Sequence, residues 1–189
     1  LNGIVGATYF LNDSLAEDND LAEFVDMLKT SVDRLEKFST TALIITQLST
    51  NQTISRGEVD LAALVNEIVP SFSDKLAAKN IELKMELAEA PCIVQGQKDL
   101  LKLAINNILD NTIKYSSADS YISVSIRKNS NGVFVSFRDK GKGFSQEALN
   151  HLFSPFGLGE KHYDKNLGLS LKAAKSIMDA HKAAIIVQN

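Results

Sequence analysis

The sequence predicts an α+β chain in two parts: an N-terminal antiparallel helical hairpin over residues 1–52, then an α/β sandwich over residues 53–189, a mixed sheet with helices on one face. Three observations carry this. From Ala7 to Arg56 there is neither Gly nor Pro, and the first proline of the chain is Pro70, so the first third lacks helix breakers. Composition then turns polar through Ser49-Thr50-Asn51-Gln52-Thr53 and Arg56-Gly57, which places a linker. Beyond it the apolar spacing switches between the period of a helix and that of a strand.

In the hairpin, Ile4, Ala7 (or Thr8) and Leu11 predict a short first helix, with Asp13-Ser14 and Glu17-Asp18-Asn19-Asp20 as turn and N-cap chemistry. Val25, Leu28, Val32, Leu35, Phe38, Ala42, Ile45 and Leu48 recur at intervals of three and four, the seam of a long packed helix. Two helices cannot bury such faces alone. The seam therefore predicts a homodimer through residues 1–52, two hairpins forming a four-helix bundle. Docking of the hairpin on the chain's own C-terminal part satisfies the same seam and stands as the alternative.

In the second part, Asp60 caps a helix carrying Leu61, Leu64, Val65, Ile68 and Phe72. Ile81, Leu83, Met85 and Leu87 alternate as a strand, Cys92-Ile93-Val94 is a short apolar strand, and Gly96 stops it. A helix follows from near Lys98. Tyr121 to Lys128 and Val133 to Arg138 then alternate on either side of Asn129-Ser130-Asn131-Gly132, a hairpin.

Composition excludes several classes. The 189 residues are 44% hydrophobic and 23% charged, with a net charge of −3, which offers no electrostatic footprint for nucleic acid or an anionic membrane. The single cysteine, Cys92, excludes an intramolecular disulfide and a Cys cluster for zinc, and fits a reducing compartment. No run approaches the length of a membrane span and no signal peptide is present. The chain starts at Leu1 rather than at a methionine, which leaves room for sensor or membrane segments upstream.

The chemistry centres on Asn107-Ile108-Leu109-Asp110-Asn111-Thr112-Ile113-Lys114-Tyr115. At helical spacing, positions 107, 111, 114 and 115 share one face, while Leu101, Ala104, Ile105, Ile108 and Thr112 cover a largely different one. Two amide oxygens a turn apart, an ammonium and an aromatic ring suit Mg²⁺, a polyphosphate and a flat base. Asp139-Lys140-Gly141-Lys142-Gly143 follows the hairpin. A carboxylate there can accept from an exocyclic amine, and the glycines let the backbone approach a planar ring such as adenine. Phe153-Ser154-Pro155-Phe156 reads as a lid hinge or a core anchor, and Leu167-Gly168-Leu169-Ser170 opens a helix whose first amides can meet phosphate.

In this order the four stretches closely resemble the N, G1, F and G2 boxes of bacterial sensor histidine kinases. Residues 1 to about 52 resemble that family's dimerisation helices, and Leu1-Asn2-Gly3-Ile4 resembles the tail of its motif His-Glu-Leu-Arg-Thr-Pro-Leu-Asn-Gly-Ile. The resemblance implies the ATPase sandwich shared with gyrase and the heat-shock chaperones. It implies ATP and Mg²⁺ as cofactors, with Asn111 and Asn107 on the metal, Lys114 on phosphate, Tyr115 packed on the nucleotide and Asp139 on the adenine amine. Gly141 and Gly143 lie beneath the ring, while Phe153, Gly168, Leu169 and Ser170 border the site. It implies transfer of the γ-phosphate to a histidine upstream of Leu1, then to an aspartate in the receiver domain of a response regulator, in a cytoplasmic protein or the cytoplasmic part of a membrane sensor. A non-catalytic dimeric nucleotide-binding scaffold with a degenerate lid is the rival. A hydrolytic relative would want an acidic base where Asn107 stands.

Three features depart from the family pattern. No histidine lies in residues 1–52. Asp164 and Asn166 stand where the G2 box has its first two glycines. His181-Lys182-Ala183 replaces His-Gly-Gly, and a closing strand is expected to be missing. His151, His162 and His181 read as structural or solvated, His181 as a cation suited to a helix C-terminus.

Overall fold

The computed structural model describes residues 4, 6, 19–50, 54–87, 91–154 and 169–189. Of the expected first helix only Ile4 and Gly6 are described, both helical; Ala7, Thr8 and Leu11, and the stretches containing Pro155, Phe156, His162, Asp164, Asn166, Leu167 and Gly168, lie outside these residues. Helix α1 runs Asn19–Ser49, the expected long helix. Strand β1, Gly57–Asp60, pairs antiparallel with β3, Ile93–Gly96, with Gly57 opposite Gly96 and Asp60 opposite Ile93. A second sheet has the order β2–β4–β5, with β2 at Glu82–Glu86, β4 at Tyr121–Asn129 and β5 at Gly132–Arg138. Its β2–β4 pair is parallel and its β4–β5 pair antiparallel, so the sheet is mixed as expected.

Strand β1 was not legible beforehand, because Val59 is the only apolar side chain among its four residues. What makes it a strand is Asp60. Its carboxylate accepts from Ala62 N at 3.0 Å, capping helix α2 (Leu61–Ile68), and from Cys92 N at 3.2 Å, beside β3. The helix predicted through Phe72 breaks after Ile68 into a 3₁₀ turn over Val69–Phe72 and then helix α3, Ser73–Ala78. Pro70 explains the break, since it has no N–H and sits at the start of the turn.

Helix α4, Lys98–Tyr115, lies at the centre. Leu101, Ile105, Leu109 and Ile113 enter the main core with Leu64, Val65 and Ile68 of α2 and with Ile122, Val124 and Ile126 of β4. Each such side chain contributes roughly 1.5–3 kcal/mol on burial. Ala104 joins a second cluster with Ala174 and Ile177 of helix α6, Ser170–Ala180. Ile108 and Thr112, expected on the packing face, are half-buried, whereas Leu109 and Ile113 are the core positions.

The C-terminal turns of α1 pack on this second cluster through Ile44 and Leu48. Lys37 of α1 lies 3.8 Å from Asp110 of α4, and Arg56 donates to Ala180 O at the end of α6 at 2.9 Å. Part of the seam therefore faces the chain's own sandwich, the alternative considered above. Leu28 and Leu35 are about half exposed, and Phe24, Met27 and Leu43 more so. No helix among the described residues is long and apolar enough to cross a membrane.

His181 is a structural joint, as expected. Its Nε2 accepts from Gln97 N at 3.0 Å, so its proton sits on Nδ1, which donates to Ile177 O at 2.7 Å. The ring lies so close that a Cβ on Gly96 would stand 2.9 Å from it. Residues 183–189 form no strand, as the departure from His-Gly-Gly led one to expect, and Lys182 takes φ 56° in the left-handed region.

Glu67 on α2 receives Lys102 at 2.6 Å and Lys98 at 2.8 Å, both from α4. The hydrogen bond from Lys102, then that from Lys98, lowers its carboxyl from 4.5 to about 2. Because the folded value is depressed, this stabilisation is complete above pH 4.5 and disappears as the pH falls through about 2. The stability difference between the wild type and Glu67→Gln should follow that window in urea melts, and should shrink in added salt because the pair is exposed.

Candidate functional site

The site is assembled on the third side of α4, the one that neither core covers. Asn107 is 3% exposed, and its Nδ2 has no hydrogen-bond partner among the described residues. Leaving a buried donor unsatisfied costs about 1–3 kcal/mol. One turn on, Asn111 donates from Nδ2 to Asn107 O at 2.9 Å, which fixes its amide. Lys114 holds its ammonium 5.1 Å from the centre of the Tyr115 ring, a cation–π contact at the end of the helix.

Opposite the end of α4 lies the loop after β5. Asp139 Oδ1 accepts from Gly141 N at 2.7 Å, an Asx turn. A carboxylate has lone pairs beyond that bond with which to take an amine. Gly141 is packed on the backbone carbonyl of Tyr115 and on Asp139, where a Cβ does not fit. Gly143 has φ +68° and, with a Cβ, would stand 2.8 Å from Asn189 Oδ1. Asn189 also accepts from Phe144 N at 2.8 Å and donates to Phe144 O at 2.7 Å, holding the far end of the loop. Ser117 closes the near end by donating to Lys140 O at 2.8 Å.

The structure thus brings together Asn107, Asn111, Lys114 and Tyr115 on one helix with Asp139, Gly141 and Gly143 on the loop clamped to its end. Phe153 is half-buried, beyond helix α5 (Gln146–His151), and the neighbouring Leu152 is buried. Leu169 is the N-cap of α6 with a buried side chain, so what it offers a ligand is backbone; Ser170 begins the helix. Gly168 lies outside the described residues. Sequence reasoning missed Lys79 and Ser117, which touch the end of α4 and the loop. Only the position of Lys79 just before a turn hinted at a structural role.

Helices layered on a mixed sheet, with an amide-bearing helix facing a glycine loop, define a nucleotide-binding α/β sandwich. Residues 96–189 match the family described as histidine kinase-, DNA gyrase B-, and HSP90-like ATPase. Those residues form a domain of that family, and the chain as a whole is similar to bacterial sensor histidine kinases. It is similar to the probable sensor kinase SilS of Salmonella typhimurium, 28% identical over 93% of this chain and 37% of the relative. With the sensor histidine kinase CssS of Bacillus subtilis the identity is 25% over 98% of this chain and 40% of the relative. The adaptive-response sensory kinase SasA of Crocosphaera subtropica is 32% identical over 76% of this chain and 37% of its own length. The chain thus spans about two fifths of these relatives. The histidine kinase AdeS of Acinetobacter baumannii shares the fold with a TM-score of 0.69 at 19% identity, over 94% of this chain and 83% of that one. ShkA, solved in complex with AMPPNP, does so with a TM-score of 0.79 at 20% identity, over 95% of this chain and 38% of that one.

Because a Cβ at Gly141 would run into the Tyr115 carbonyl, Gly141→Ala should lower stability by about 1–3 kcal/mol, the usual cost of overpacking. Lys142→Ala, at an exposed neighbour, should stay within about 0.5 kcal/mol. Urea midpoints of the two variants decide it.

Proposed function

We propose that this chain is the catalytic core of a two-component sensor histidine kinase, with residues 1–52 as the dimerisation hairpin and residues 53–189 as the ATP-binding domain. The observation that carries the reading is the buried Asn107 amide, whose Nδ2 has no partner among the described residues, one turn from Asn111 and on the helix that the Asp139–Gly143 loop abuts. A folded core tolerates such a donor where a ligand completes it. Mg·ATP fits that requirement, since phosphate oxygens accept from amide and ammonium donors and amide oxygens ligate Mg²⁺.

On this reading Asn111, assisted by Asn107, holds the metal, which neutralises charge on the phosphates when bound. Lys114 binds phosphate, Tyr115 packs on the nucleotide and Asp139 accepts from the adenine amine. Gly141 and Gly143 keep the loop backbone close to the ring. Phe153 and the Gly168-Leu169-Ser170 turn border the site, and the first amides of α6 face the phosphates. The acceptor is the histidine of the motif whose tail Leu1–Ile4 resembles, and the phosphoryl group then passes to a response regulator aspartate. The chain's own work is to orient the γ-phosphate in line with that histidine, since such transfers rest on positioning and charge. The place of action is the cytoplasm, as a free protein or as the inner part of a membrane sensor.

Calorimetry with Mg·ATP tests the site. Asn111→Ala should abolish Mg²⁺-dependent binding, and Asp139→Asn should weaken binding by roughly 1.5–3 kcal/mol, the loss of a charge-assisted hydrogen bond. Equal affinity in wild type and both variants would remove the assignment. For assembly, Leu35→Glu places a charge in the seam and should raise the dimer dissociation constant at least about a hundredfold. A wild type that light scattering finds monomeric at every concentration refutes the dimer.

A further inference from the structure

We propose that Lys79 is a positioning residue for the nucleotide site, acting through the C-terminus of α4 and from there through the Asp139–Gly143 loop. This deepens the proposed nucleotide reading and rests on it for the binding consequence. The ammonium of Lys79 is half-buried and donates to three carbonyls: Ile113 O at 2.9 Å, Ser116 O at 3.1 Å and Lys114 O. An ammonium has three donors, and here all of them go to the end of one helix. The last carbonyls of a helix have no intrahelical partner, and a cation at that end also opposes the negative pole of the dipole. Lys79 satisfies both demands from outside the helix, at the end that carries Lys114 and Tyr115.

Lys79 is itself held in place. Its carbonyl accepts from Asp119 N at 3.0 Å. The next residue, Asn80, takes φ 50° and donates to Asp119 Oδ1 at 2.8 Å. The turn after α3 and the loop after α4 are therefore stapled together, with the Lys79 side chain passing beneath the helix end. From that end two contacts reach the glycine loop: Gly141 rests on the Tyr115 carbonyl, and Ser117 donates to Lys140 O. Removing the ammonium frees three carbonyls, and the last turn of α4 frays. The loop that rests on it then loses its seat.

The test uses the full chain with and without nucleotide. Lys79→Met keeps the aliphatic stem and removes the donors, Lys79→Arg restores donors, Ser117→Ala cuts only the link to the loop, and Lys128→Met on the exposed hairpin is the control. Without nucleotide, hydrogen exchange in Lys79→Met should accelerate over residues 112–118 and 139–145 but not over β1 and β3. In Ser117→Ala it should accelerate over 139–145 alone. With Mg·ATP, Lys79→Met should bind roughly tenfold more weakly, the usual consequence of losing a group that orients a ligand-bearing residue, and Lys79→Arg should recover most of the affinity. Unchanged exchange over 139–145 in both Lys79→Met and Ser117→Ala overturns the coupling, and uniform acceleration across the chain assigns Lys79 to general stability instead. Should Lys79→Met not fold, the same exchange over 139–145 in Ser117→Ala decides the link. A wild type that does not bind Mg·ATP removes the nucleotide reading, while exchange still decides whether Lys79 positions the loop.

Discussion

Helix α4 is buried along two of its sides, and the α/β sandwich depends on that. One side meets the sheet and α2 through Leu101, Ile105, Leu109 and Ile113. The other meets α6 through Ala104, against Ala174 and Ile177. Alanine at these contacts keeps the helices close, and larger side chains there would overpack the interface. Burial on two sides fixes the rotation of α4 about its own axis, so the side of the helix from which Asn107, Asn111 and Lys114 project is decided by apolar packing. Asn107 sits at the edge between core and site, which is why its amide is buried with a donor unspent.

Rotation alone does not fix position along the axis, and the two ends of α4 are held by residues distant in sequence. Gln97, its N-cap, donates to His181, a residue that also ties down the end of α6. Gly96 permits the ring to come that near. At the opposite end Lys79 holds the terminal carbonyls. Each clamp comes from an element that also packs on the core, so the helix is located in all directions by groups that do not touch a ligand.

Helix α1 serves two surfaces with one sequence. Leu48 of the predicted seam packs on the α4–α6 cluster together with Ile44, which lies outside the seam, while Leu28 and Leu35 of the seam stay about half exposed. A heptad-like pattern reports that a face is apolar, not what covers it. Val25 and Val32 of the seam are buried, and the half-exposed Leu28 and Leu35 are those the proposed dimer would cover. Lys37–Asp110 and Arg56–Ala180 bridge the same junction with polar contacts.

By itself the sequence determined the long helix α1, the strands β2 to β5, the central helix and the order of the four polar stretches. These are local properties: periodicity, turn residues and breakers act within a few residues of where they are read. It also singled out Asn107, Asn111, Lys114, Tyr115, Asp139, Gly141 and Gly143, because in that order the stretches that carry them resemble the boxes of the sensor histidine kinases. Tertiary structure alone decided the rest. Strand β1 exists because Asp60 joins it to α2 and β3; Pro70 divides a helix that periodicity ran together. Leu109 and Ile113 are core because they face the sheet and α2 beside Leu101 and Ile105, while Ile108 turns to the second cluster. His181 is a joint between α6 and α4 because a backbone N–H from a residue far away in sequence points at its ring. In each case the deciding partner lies too far along the chain for a pattern of neighbours to reveal it, since a hydrogen bond or packing contact is set by distance in space.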